Sequence, residues 1–244
     1  MLGSVVAEAS AAGTEDEKHS DHKTAIGLGV GYVPRFEGSD HYRVREVPLI
    51  NIQRGRFFAR GGDGIGVDLV KGERIRIGAS VAWMLGYRSK DVPAGIGKLD
   101  DSIGARMFAS VNFGGLTTTL SATKAVSEDD RGLAASASFA YPMRVSERLT
   151  IIPTTSVNWA DAEYMSSYFG VDAGRAERSG LPQYAPSSGF KDVTLQLVAS
   201  YRLTDHWTLA SAAGFTKLMD NATDSPLVER KQQPGMMIGV SYVF

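Results

Sequence analysis

The stretch SIGARMFASVNFGGLTTTL, residues 102–120, carries the reading of the fold. Ile103, Ala105, Met107, Val111 and Phe113 fall on one side of a period of two, and Ser102, Gly104, Arg106, Ser110 and Asn112 on the other. That is the alternation of a strand with two different faces. Gly114-Gly115 then reverses the chain. A two-residue hairpin pairs Phe113 directly with Leu116 and puts both on one face, which the pattern on each side requires independently.

Working outward, the same pattern recurs. Upstream, Ile75, Ile77, Ala79, Val81, Trp83, Leu85 and Tyr87 oppose Arg74, Arg76, Gly78, Ser80 and Ala82. Nearer the start, Ile26, Leu28, Val30 and Tyr32 oppose Gly27, Gly29 and Gly31. Further segments fall at Leu133–Tyr141, Leu149–Trp159, Val193–Leu203, Trp207–Phe215 and Met236–Phe244, with shorter ones near 44–53, 56–61 and 64–70. One face is greasy, and the other is small, polar or charged. The chain has 27 glycines, which are poor in strand interiors unless space is short on one face. No run approaches the eighteen or so apolar residues of a transmembrane helix. Strands that face lipid must close on themselves, because hydrocarbon satisfies no free edge. The expected fold is all-β: a closed antiparallel transmembrane barrel of about twelve strands over 24–244, an even number as single-chain bacterial barrels have.

Loop lengths orient it. Short connections at Gln53–Arg56, Lys71–Arg74, Gly114-Gly115, Met143–Glu147 and Thr204–His206 alternate with long ones at Pro34–Glu46, Ser89–Asp100, Ala160–Gly189 and Lys217–Gln233. Outer-membrane barrels turn short in the periplasm and long outside, which predicts that both termini are periplasmic. Two aromatic girdles are expected: Tyr32, Tyr87, Trp159, Phe190 and Phe215 on the long-loop side, and Phe113, Tyr141, Tyr201, Trp207, Tyr242 and Phe244 on the other.

Composition sets bounds on function. The 244 residues carry a formal net charge of −1 and no cysteine. Nothing in that balance suggests nucleic acid as a partner, and disulfides, thiolate zinc sites and cysteine nucleophiles are excluded. Ala9-Ser10-Ala11 fits a signal-peptide cleavage site without the positive region that should precede it. Residues 1–23 therefore read as a signal-peptide remnant or a disordered periplasmic tail. The four histidines are scattered at 19, 22, 41 and 206. With no G-x-S-x-G or H-E-x-x-H motif, no catalytic residue, metal ligand or cofactor site is assigned.

The chain ends GVSYVF, with Ile238, Val240, Tyr242 and Phe244 on one face and a terminal aromatic. This looks like the signal read by the barrel-assembly machinery. Longer phrases resemble the MipA/OmpV family of outer-membrane proteins: Tyr32-Val33-Pro34 leading to Phe36-Glu37-Gly38-Ser39-Asp40-His41-Tyr42, then Arg56-Phe57-Phe58-Ala59 and Gly64-Ile65-Gly66-Val67. Tyr168-Phe169-Gly170-Val171, Ser179-Gly180-Leu181-Pro182-Gln183-Tyr184 and Asp224-Ser225-Pro226-Leu227-Val228 continue the likeness. The resemblance implies a barrel in the outer membrane of a Gram-negative bacterium, among lipid and lipopolysaccharide. It also implies, for some members, a scaffold joining a lytic transglycosylase to a penicillin-binding protein.

Three groups of candidate residues follow. Arg74, Arg76 and Arg106 project to the small-residue face, and facing Asp68 or Glu73 they either plug the lumen by ion pairing, the favoured reading, or line a narrow anion path. The segment holding Glu37, Ser39 and Asp40 is either a carboxylate site or a turn, the turn being favoured by its residue types. The loop Ala160–Gly189, with Tyr168, Phe169 and Tyr184, is too aromatic for a solvated linker. It is expected to fold over the mouth as a lid or to serve as a recognition surface. Scaffold and small-solute channel remain the two functional expectations.

Overall fold

The computed structural model describes residues 22–127 and 131–244. The leader or tail reading of the N-terminus thus falls outside the described residues, apart from its last two positions. The strands are β1 (His22–Pro34), β2 (Tyr42–Arg54), β3 (Phe57–Arg60), β4 (Gly64–Lys71), β5 (Ile75–Met84), β6 (Ser102–Phe113) and β7 (Leu116–Ala125). They continue with β8 (Leu133–Ala140), β9 (Met143–Arg144), β10 (Leu149–Ala160), β11 (Gly189–Arg202), β12 (Trp207–Leu218) and β13 (Gln232–Val243). Except for β8 and β9, consecutive strands pair antiparallel, β13 returns to β1, and β10 pairs with β11, so the sheet closes. β8 and β9 both pair with β10 and form one stave, interrupted at Tyr141-Pro142, where proline has no N–H to give. The result is a closed antiparallel barrel of 12 staves.

The predicted hairpin forms in the predicted register. Phe113 pairs with Leu116, and Gly114 and Gly115 take φ of 56° and 94°, the left-handed backbone that such a turn demands. The alternation resolves as expected for a wall in lipid. Phe57, Ile65, Trp83, Met107 and Phe113 stand outward and exposed, Phe57 by 70% and Trp83 by 64%, while Asn51, Asp68, Ser80, Thr154 and Gln196 are buried inside. The interior is not wholly polar, since Leu49, Ile152, Val198, Ala210, Ala212 and Met237 form a small apolar patch in it. Glycine makes room there: a Cβ on Gly239 would lie 2.8 Å from Leu49 Cδ1.

Both termini lie at the end where the turns are short, and the long connections all gather at the other. That end departs from the sequence reading in three ways. β2 begins at Tyr42, inside the expected first loop, because Val44 and Tyr42 pair with Tyr32 and Pro34 although the segment is too charged to alternate. Tyr87 is buried and belongs to the packed mouth, not to the girdle. The Ala160–Gly189 connection carries two helices, α1 (Ala162–Phe169) and α2 (Ala173–Ser179), and α3 (Asp220–Thr223) follows β12.

Candidate functional site

Two sites stand out, one inside the wall and one at the mouth. Inside, Asp68 from β4 is fully buried and accepts from Arg76 Nε at 2.7 Å and from Gln53 Nε2 at 3.1 Å. Gln53 in turn accepts from Arg60 at 2.6 Å, and Arg106 pairs with Asp63 at 3.0 Å. The guanidinium of Arg76 packs over both Phe58 and Phe108, 5.4 and 5.2 Å from the centroids of rings that themselves stand 5.8 Å apart, with Arg60 4.6 Å over Phe58. Desolvated arginines are stabilised both by the carboxylates and by the ring faces. The strand parity places these side chains together. Arg74 does not join them, because β5 starts only at Ile75 and Arg74 sits exposed in the turn before it.

At the mouth, fifteen buried residues, from Phe36 and Tyr87 through Tyr164, Met165, Tyr168, Phe169 and Val171 to Leu218, Ala222 and Leu227, form the larger apolar cluster. α1 supplies four of its members. It starts where the Asp161 carboxylate accepts from Tyr164 N at 2.8 Å, and α2 starts likewise at Asp172 with Arg175 N, each satisfying an otherwise unpaired helix N–H. α2 stops at Gly180, whose φ of 73° suits glycine. The loops are then tied to one another. Tyr184 Oη donates to Asn221 O at 2.6 Å, Ser225 Oγ to Phe169 O at 2.6 Å, and Arg131 to the carbonyls of Asp100 and Leu85.

The segment from Glu37 to Asp40 is a turn. Ser39 N donates to Phe36 O at 3.1 Å, and Gly38 takes φ 105°, the geometry in which a turn selects glycine. Gly38 O accepts from Glu229 N and Arg230 N, and the Glu229 carboxylate accepts from Asp40 N, so the first and last long loops interlock. Ser39 is buried and Asp40 exposed. Glu37 does have a charged partner: Lys191 Nζ lies 2.6 Å from its carboxylate and 2.6 Å from that of Asp192. Lys191 is 1% exposed.

Sequence reasoning missed that lysine. In β11 the register shifts opposite Asn158/Trp159, so that Phe190 faces out while Lys191 and Asp192 both face in, as a bulge allows. Asn158 then donates to Asp192 at 2.6 Å. Two adjacent charges after an aromatic are the available signal for such a break in parity. Burial pushes the Tyr164 and Tyr168 phenols well above their ordinary range, with the nearby Glu37 carboxylate adding to it. Of the outer-loop candidates, Tyr168 and Phe169 are buried in the lid and Tyr184 is partly buried against it, so the loop folds inward. Ile238, Val240 and Phe244 face outward, and Tyr242 packs on His206, Trp207 and Phe244 at 4.9–5.4 Å. Among the described residues no three His, Asp or Glu side chains gather into a metal-holding group.

Comparison with known proteins gives a family-model match, MltA-interacting protein MipA, over residues 26–244. The MltA-interacting protein of Escherichia coli (strain K12) is 28% identical over 233 residues, covering 93% of this chain and 92% of that protein. YiaT of the same organism, whose name refers it to the outer membrane, is 25% identical over 227 residues, 90% of each chain. Among solved structures, the KdgM porin aligns with a TM-score of 0.46 at 11% identity, covering 90% of this chain and 99% of that one. The NanC porin aligns with 0.48 at 8% identity, covering 89% and 98%.

Proposed function

This chain belongs to the MltA-interacting protein (MipA) family of outer-membrane barrels, and from that premise we propose that it is a non-catalytic scaffold for cell-wall enzymes. Its first partner would be a lytic murein transglycosylase, as the relative's name suggests, and its second a murein-synthesising penicillin-binding protein. The observation that carries the reading is the packed mouth: a barrel whose α1 and interlocked long loops pack together at one end offers a partner its other end. With the short turns in the periplasm, that end presents Arg54, Arg56, Arg74, Arg144 and Arg148, all exposed, as a basic rim. Such a rim attracts acidic protein surfaces and steers them on approach. Folding would pass through the barrel-assembly machinery by way of the Phe244 end, and lipid and lipopolysaccharide would surround the greasy wall.

Capture from solubilised envelopes tests it. Murein hydrolases and synthases should be retained by the protein and lost when Arg54, Arg56 and Arg74 are all changed to Glu, with the folded barrel intact. Retention that ignores the triple change, or no retention at all, would overturn the scaffold reading. The channel reading has one observation in its favour. The inward-facing side chains of Arg76 and Arg106 keep 27% and 18% of their exposure. Steady anion conductance across a planar bilayer, abolished by Arg76→Gln, would replace the first reading by that one.

A further inference from the structure

The β3–β4 hairpin is too short for the wall it belongs to. A strand needs about nine to eleven residues to cross the hydrocarbon, and β3 has 4 and β4 has 8. The last β2–β3 pair is Asn51↔Arg60, followed only by Gly61 N donating to Ile50 O at 2.9 Å. The last β4–β5 pair is Ile65↔Val81. Beyond these points β2 runs on to Tyr42 and β5 to Met84 with no strand between them. Where the hairpin stands between them, β2 and β5 are three interstrand spacings apart, about 14 Å.

The residues along this gap fit an opening and do not fit a lipid-sealed wall. Because Ile50 turns its carbonyl toward β3, the even-numbered residues of β2 turn their backbone groups to that side. The next of them is Pro48, which has no N–H to leave unpaired and is confined to strand edges. Glu46 follows, an outward-facing carboxylate opposite Val30 in the greasy band, and then Val44. The hairpin tip folds its own charges inward, Arg60 to Gln53 and Asp63 to Arg106. Above the gap, Arg43 at the top of β2 donates to Asp91 at 2.7 Å and roofs it with the β5–β6 loop. Arg45 is exposed beside it and has no carboxylate within salt-bridge distance among the described residues.

We propose that this gap is a lateral doorway between the membrane and the barrel interior, occupied by a membrane lipid with an anionic head. The head sits against Arg43, Arg45 and Arg88, which outnumber the carboxylates of Asp91 and Glu46. The chain lies between Val44 and Pro48 on one jamb and Trp83 on the other, all exposed on the greasy face. With the long loops outward, the orientation taken above, the doorway opens into the outer leaflet; the binding itself is independent of that orientation and of any scaffold role.

Trp83 reports on it directly. Changing Trp159 and Trp207 to Phe leaves Trp83 as the last of the 3 tryptophans, and the full chain is placed in lipid bilayers with octadecyl phosphate carrying a bromine-labelled chain. Quenching should saturate at low mole fraction, be relieved by unlabelled octadecyl phosphate, and weaken about tenfold or more in Arg45→Gln, as loss of one charge-assisted contact implies. Adding two residues to each arm of the β3–β4 hairpin should remove the saturable part. Quenching that rises linearly with lipid, is equal for labelled octadecanol and ignores Arg45→Gln would overturn the proposal, and should the long hairpin fail to fold, Arg45→Gln still decides. A dimer that shields Trp83 as protein concentration rises would also overturn it, since a second copy would then cover the edge.

Discussion

At the mouth, Met165 and Phe169 are shut away among Tyr164, Tyr168 and Leu227, while in the wall below them Phe57 and Trp83 stand outward and Asp68 and Gln196 lie inside. One chain thus buries apolar side chains in one region and displays them in the other. The rule is the same in both, because apolar surface goes wherever water is not. Loops with water on their outer side can find such a place only inside themselves. Staves surrounded by lipid find it outside, and the interior falls to whatever polar groups can satisfy one another. The mouth is therefore held as a soluble core is held, and the wall by closure of its hydrogen bonds.

The sharpest way to break the contrast is at Lys191, where a buried ion group underpins the apolar lid. Lys191→Met would leave the buried Asp192 carboxylate uncompensated, and the loss should be about 3–5 kcal/mol by chemical denaturation in micelles. Changing Asp192 to Asn in the same chain should recover most of it. A loss under about 1 kcal/mol would mean that packing alone holds the mouth.

Next in size is a matched pair of truncations. Phe169→Ala opens a cavity in the mouth and should cost about 3–4 kcal/mol. Phe57→Ala on the wall leaves a dent that lipid refills, so only its transfer term, about 1.5–2 kcal/mol, should be lost. Equal losses would erase the distinction between the two regions.

Alkali offers a subtler test. Burial, with Glu37 nearby, raises the phenols of Tyr164 and Tyr168 above the ordinary value of 10.0. Their contribution to the lid is complete below that pH and declines as pH climbs above it, by about 1.4 kcal/mol per tyrosine per unit. Phenolate absorbance should appear for exposed tyrosines first and for these two only together with proteolytic cutting in the Ala160–Gly189 loop. Ionisation of all tyrosines in one early step would contradict the buried lid.

The smallest effect belongs to Asp91. Burial by itself would raise its carboxyl, but the hydrogen bond from Arg88 and the charges of Arg43 and Arg88 outweigh it and hold the group below the ordinary 3.8. The clasp is therefore complete at neutral pH and is lost as pH falls below about 4. Asp91→Asn should loosen the β5–β6 loop by about 1 kcal/mol, seen as faster protease cutting there at pH 7, with the difference from the unchanged protein shrinking as pH falls below about 4.

Much of the wall was legible in residues. Gly114-Gly115 fixed a register, and the parity of Arg76, Arg106 and Asp68 put them on one side. Arg74 shares that parity but sits one residue before its strand begins, and parity says nothing about where a strand ends. Lys191 was hidden because a single inserted residue reverses the alternation that the reading depends on. Tyr87 continued the outward alternation of β5, yet the strand had already stopped at Met84 and the ring turned into the mouth. The shortness of β3 and β4 could be counted, but not the gap it leaves.

By itself the order of residues determined that this chain forms a closed barrel with greasy outward faces, because a period of two and a hairpin turn act between near neighbours. Only the tertiary structure decided which charges meet, that the long loops pack together at one end and that one hairpin leaves the wall unfinished. Those outcomes depend on residues far apart in sequence being brought together by closure, and local pattern holds no record of that distance.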